Sequence, residues 1–146
     1  MNLVVDASVA AKWFIDESLH QEALELLDHP EELYSLDLVV AEVTNIAWKK
    51  VLRGEIEQSH ATEMAKGIRQ GIPLLYPTSM FNERALELAL LLQHPVYDCL
   101  YLACTEAIEG ILVTANQKFR HKAQDAGFEN LVHYLGSKPI SVMMSK

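Results

Sequence analysis

Positive charge is scarce in this chain: 12 lysines and arginines stand against 20 aspartates and glutamates, a net charge of −8. A protein that coats nucleic acid without regard to sequence needs a positive surface to neutralise phosphates, so that class is excluded. A small acidic pocket that recruits a divalent cation, with basic groups placed locally beside it, is compatible with the balance. Cysteine is rarer still. Cys99 and Cys104 form neither a CxxC pair nor a Cys/His zinc spacing, and two thiols are too few for a secreted disulfide framework. They read as small buried residues in a reducing cytosol. The 6 histidines contain no HxH or HExxH, which argues against zinc. Neither GxGxxG nor GxxxxGK[ST] occurs, so a nucleotide-binding loop has no support. The strongest apolar stretch, residues 85–92, is interrupted by Glu87 and too short to cross a bilayer. The opening MNLVVDASV enters a strand without a basic leader, so no signal peptide is expected. A soluble cytoplasmic protein follows.

What the chain does have is a core. Half of its 146 residues are hydrophobic and 22% are charged, which suits one folded domain over residues 1–146, with a tail from about 137. Residues 2–5 read as a buried strand ending at Asp6. Residues 8–14 suggest a short helix, and 19–27 carry a helical stripe that stops near 29–30. A strand over 33–36 precedes a helix over 38–52 closed by Gly54. Further helices are expected over 56–71, 82–93, 98–108 and 117–126, and strands over 74–76, 111–113 and 131–134. Strands alternating with helices imply an α/β fold: a parallel sheet covered on both faces. Ligands bind such sheets beyond the carboxyl ends of the strands, where the strand order reverses.

Three carboxylates and one amide fall at such places. Asp6 follows the first strand, Glu42 lies early in the helix after the second, Asp98 follows the break at 95–97, and Asn116 follows the fourth strand. Each also has an ordinary role available: Asp6 and Asp98 as helix N-caps, Asn116 as a turn residue. Glu42 is harder to dismiss, because Val39, Val40, Ala41 and Val43 surround it and a carboxylate in so apolar a run needs a partner. Carboxylates gathered at one sheet edge repel one another unless a cation holds them, and hard oxygen donors suit Mg²⁺ or Mn²⁺. That is equipment for metal-assisted hydrolysis of a phosphodiester.

The stretches VVDASVAAKWF (4–14), LVVAEVTNIAWKKVLRGEI (38–56), HPVYDCLYLA (94–103) and LVTANQKF (112–119) occur in an order and spacing that resemble the PIN-domain ribonucleases, and within them the VapC-type toxins of toxin–antitoxin pairs. The resemblance covers essentially the whole chain. It implies a three-layer α/β/α sandwich around a central, mostly parallel sheet. It also implies a Mg²⁺- or Mn²⁺-dependent endoribonuclease, dimeric and restrained by a small antitoxin. By resemblance Asp6, Glu42 and Asp98 match the acidic metal-binding residues; Ser8 and Thr114 match small hydroxyl residues beside them, and Asn45 the polar residue one turn after the glutamate.

The family usually has Asp where this chain has Asn116. An amide oxygen can coordinate a metal weakly or through water, but it brings no charge. At an effective dielectric of 20, two unit charges about 4 Å apart interact by roughly 4 kcal/mol, and by twice that against a dication. One well-held cation and weakened catalysis are therefore expected, and an alternative is a PIN-fold protein acting mainly by binding its antitoxin. Lys118, Arg120 and Lys122, with His121, form a local basic excess suited to RNA phosphates, and Lys49, Lys50 and Arg53 extend the helix that carries Glu42. Trp13, Ile46 and Leu52 are candidates for the antitoxin groove. A receiver-like signalling domain would need an acceptor aspartate after the third strand, where Leu74, Leu75, Tyr76 and Pro77 supply none.

Overall fold

The computed structural model describes residues 2–29 and 31–137, so nearly all of the expected tail lies outside the described residues. Strands β1 (Leu3–Val5) and β4 (Ile111–Thr114) are buried at every position. Short runs that are apolar on both faces belong in the interior of a parallel sheet. With β2 (Leu33–Leu36), β3 (Leu74–Tyr76) and β5 (Val132–Tyr134) they form a five-stranded sheet ordered β3-β2-β1-β4-β5, with every pairing parallel. Gly110 permits the close start of β4. A Cβ there would stand 2.4 Å from the Asn2 carbonyl oxygen, which accepts the Ile111 amide.

The helices are α1 (Ala7–Ala10), α2 (His20–Leu27), α3 (Leu38–Leu52), α4 (Gln58–Gly67), α5 (Asn82–Leu92), α6 (Val96–Ala107) and α7 (Gln117–Asp125). They cover the sheet as the α/β reading requires. Helix α6 packs across β1, β2 and β4 and against α5, so every residue from Cys99 to Thr105 is buried. Helix α3 packs on α1 and α4, and α7 on β5. The sheet grows outward from β1 to β3, and the chain then returns to β4 on the other side of β1. That reversal opens a crevice between the carboxyl ends of β1 and β4, where Asp6 and Asn116 emerge.

Three expectations need correction. Helix α6 starts at Val96, not Asp98, because Pro95 (φ −53°, ψ 145°) serves as its N-cap. Proline lacks the N–H that a helix start leaves unused and already has a helix-compatible φ, so 95–97 is a beginning rather than a break. Asp98 is therefore a first-turn residue and not a cap. The expected helix over 56–71 divides into α4 and a 3₁₀ turn at Ile68–Gly71. Trp13 is buried, its indole Nε1 donating to the Ala23 carbonyl at 2.9 Å, so it is core rather than groove. Leu52 is exposed, and so is Trp48, one turn before it on α3.

Both cysteines are free and buried, and burial pushes their thiols up to about 11 for Cys99, beside the Asp98 charge, and about 12 for Cys104. Among the described residues no helix is long and apolar enough to cross a membrane.

Candidate active site

Asp6 is 3% exposed, and both of its carboxylate oxygens accept hydrogen bonds. It caps α1, with Oδ1 accepting the Val9 amide at 3.2 Å and the Ser8 hydroxyl at 2.6 Å. Oδ2 accepts the Thr114 hydroxyl from the end of β4 at 2.6 Å. Capping and a place in the site are thus the same geometry here. Ser8 Oγ in turn accepts the Ala115 amide at 2.9 Å, and Thr114 Oγ1 accepts the Asn116 amide at 3.1 Å. These bonds lace the ends of β1 and β4 together. They favour the carboxylate, but burial outweighs them and Asp98 adds a like charge, so the Asp6 carboxyl is pushed up from 3.8 to about 7.

Glu42 projects from the first half of α3 and is half-buried, with Oε1 accepting the Tyr101 hydroxyl from α6 at 2.5 Å. Burial raises its pKa and Asp98 adds to the rise, against the Tyr101 bond. Burial and the Glu42 charge together keep the Tyr101 phenol protonated, so it is a fixed donor. Asp98 Oδ2 accepts from two groups: His94 Nε2 at 2.5 Å and Asn116 Nδ2 at 3.3 Å. Asn116 caps α7, its Oδ1 accepting the Phe119 amide at 3.1 Å. Both contacts require the same amide orientation, because an N–H needs the oxygen and a carboxylate needs the NH₂. Asn116 consequently presents a donor, not a metal-binding oxygen, to Asp98.

These side chains line one cavity of about 540 Å³, bounded by Asp6, Ser8, Glu42, Asn45, Asp98 and Asn116 with Ala7, Ala41, Ile46, Lys49, Tyr97 and Tyr101. Among the described residues, no three His, Cys, Asp or Glu side chains stand close enough together to form a ready-made metal cage. The donor set still fits a magnesium-type ion, which binds through one or two carboxylates and keeps several waters. Glu42 Oε2 and Asp98 Oδ1 take no hydrogen bond among the described residues, and Asp98 adds a like charge toward both Asp6 and Glu42, whose pKa values are raised chiefly by burial.

The basic cluster read from the sequence is not brought into this cavity. Lys122 Nζ donates to the Gln93 carbonyl at 2.6 Å and ties α7 to the end of α5. Arg120 donates to Gln124, and Lys118 is exposed on α7. Lys49 does line the cavity. The sequence reading missed Tyr101 and His94, although both lie at helical spacing from Asp98. The apparent break at Pro95 hid the second.

A five-stranded parallel sheet with an acidic crevice beside β1 is the architecture of a PIN domain, and this chain belongs to that family: the PIN domain model matches residues 3–125. Within the family it is of the VapC type. It is 33% identical over 124 residues to Ribonuclease VapC3 of Pyrobaculum aerophilum, a match covering 84% of this chain and 95% of that protein. The crystal structure of PAE2754 from Pyrobaculum aerophilum shares the fold with a TM-score of 0.71 at 18% identity, covering 100% of this chain and 97% of that one.

Proposed function

We propose that this protein is a Mg²⁺- or Mn²⁺-dependent endoribonuclease, the toxin of a VapBC-type pair, acting in the cytoplasm on RNA phosphodiesters. The observation that carries the reading is the gathering of Asp6, Glu42 and Asp98 around one cavity to which, among the described residues, Lys49 alone supplies a cationic side chain. The chain's likeness to Ribonuclease VapC3 supports the choice of RNA as substrate. Asp98 and Glu42 would hold the cation through their uncommitted oxygens, and Asp6 would hold it directly or through its waters. A bound cation supplies a water of lowered pKa and charge at the phosphorane. Ser8 and Thr114 keep Asp6 aimed, Tyr101 fixes Glu42, and Asn45 and Lys49 present polar groups to the entering backbone; Lys118 and Arg120 extend phosphate contacts outward.

The apolar surface at Trp48 and Leu52, on the same helix as the cavity-lining Ile46 and Lys49, suits the antitoxin. Leu86, Leu90 and Leu91 are exposed on α5 and suit a second copy of the chain. The donor that Asn116 turns toward Asp98 favours a second reading, in which cleavage is slow and antitoxin binding is the main role. Asp98→Ala separates the two readings. Single-stranded RNA incubated with Mn²⁺ should be cut by the wild type and about a hundredfold more slowly by the variant, the order lost with one charge-stabilising group. Cleavage that persists in chelator would overturn the cation dependence, and cleavage that the variant leaves unchanged would overturn the assignment of catalysis to this site.

A further inference from the structure

Behind Asp98, on the side away from solvent, stands an imidazole that the proposed chemistry does not use. His94 is 9% exposed, in the short connection between α5 and α6. Gln93 before it is left-handed (φ 53°), and the His94 amide donates to the Ala89 carbonyl at 3.2 Å, which closes α5. Pro95 after it caps α6. The Phe119 ring of α7 lies 5.0 Å away, tilted by 40°. Three helices therefore hold the ring in place. A carboxylate only accepts, so the contact to Asp98 Oδ2 places the proton on Nε2. Nδ1 is buried and has no hydrogen-bond partner among the described residues. The ring's one side-chain hydrogen bond goes to one oxygen of one pocket carboxylate, and a buried nitrogen is left unpaired on its other side, which is a cost to folding.

We infer that His94 is a positioning residue for Asp98: together with Asn116 it pins Oδ2, leaving Oδ1 as the oxygen offered to the cavity. The inference rests on the cation reading given above. The terminal torsion of an aspartate is broad, so an unpinned carboxylate samples orientations that spoil a ligand site. Groups that orient metal ligands from behind typically contribute 10- to 100-fold to metal affinity.

Calorimetric titration of the full chain with Mn²⁺ tests this on wild type, His94→Gln and His94→Leu. Glutamine carries an N–H donor at similar reach, while leucine fills the space against Phe119 without one. His94→Leu should bind Mn²⁺ about 10- to 100-fold more weakly, and His94→Gln should recover most of the loss. Metal-free melting temperature should not fall in the leucine variant, since the unpaired nitrogen has gone. Wild-type affinity in His94→Leu, or equal loss in both variants, would overturn the positioning role. A wild type that binds no Mn²⁺ would remove the cation reading itself, and the role with it. Should the leucine variant fail to fold, long-range ¹H–¹⁵N spectra of the wild-type imidazole decide: a proton on Nε2 supports the role and a proton on Nδ1 overturns it.

Discussion

Asp6→Asn is expected to stabilise the metal-free protein above neutral pH while reducing RNA cleavage to background. The native carboxyl titrates at about 7 against 3.8 for the ordinary group, chiefly because it is buried. Between those values the native state holds a proton that the unfolded state has lost. Stability from this group is therefore complete below about pH 4 and is lost as pH rises through about 7. The difference corresponds to roughly 4 kcal/mol as an order of magnitude. Asparagine is neutral throughout, can still accept from the Val9 amide and Ser8, and is a good N-cap. Calorimetric melting should thus show a gain of several degrees at pH 8 that disappears near pH 4. An equal gain at both pH values, or none at pH 8, would mean that the buried charge is not the cause.

Asn116→Asp should act in the opposite sense on the metal-free protein and should improve the loaded one. Asn116 Nδ2 lies 3.3 Å from Asp98 Oδ2. Replacing it with a carboxylate oxygen removes a donated hydrogen bond and sets two like charges at that separation. Their repulsion is about 5 kcal/mol at an effective dielectric of 20, before the pair relaxes or shares a proton. The Phe119 amide keeps its cap, because aspartate serves as well as asparagine there. The strain is thus confined to the cavity, where a dication relieves it. Metal-free melting temperature at pH 8 should fall, Mn²⁺ affinity should rise by about tenfold or more, and RNA cleavage should quicken. If neither affinity nor rate increases, the missing charge is not what limits this chain.

The fold was largely legible because its signals are strong and local. Residues 3–5 and 111–113 are apolar on both faces, and α3 runs from Leu38 to Leu52 as its apolar pattern and Gly54 imply. Asp6, Glu42, Asp98 and Asn116 lie just past a strand or face that edge of the sheet, and they line one cavity. What escaped was the layer behind them. Tyr101 reaches Glu42 across 59 positions of chain, a contact that no local pattern encodes. His94 reaches Asp98 at i,i+4, yet Pro95 reads as a helix breaker when it is in fact a helix starter. The direction of the Asn116 amide depends on the α7 cap, so the same residue that offers an oxygen on paper offers an N–H in the folded chain. Lys122, a candidate phosphate contact, also ties two helices together through a carbonyl, which no local pattern signals.

A manganese-soaked crystal, measured at the manganese absorption edge, addresses the central claim most directly. An anomalous peak among Asp6, Glu42 and Asp98 is the predicted result. A cavity without a peak in crystals whose surface carboxylates do bind manganese would contradict the account.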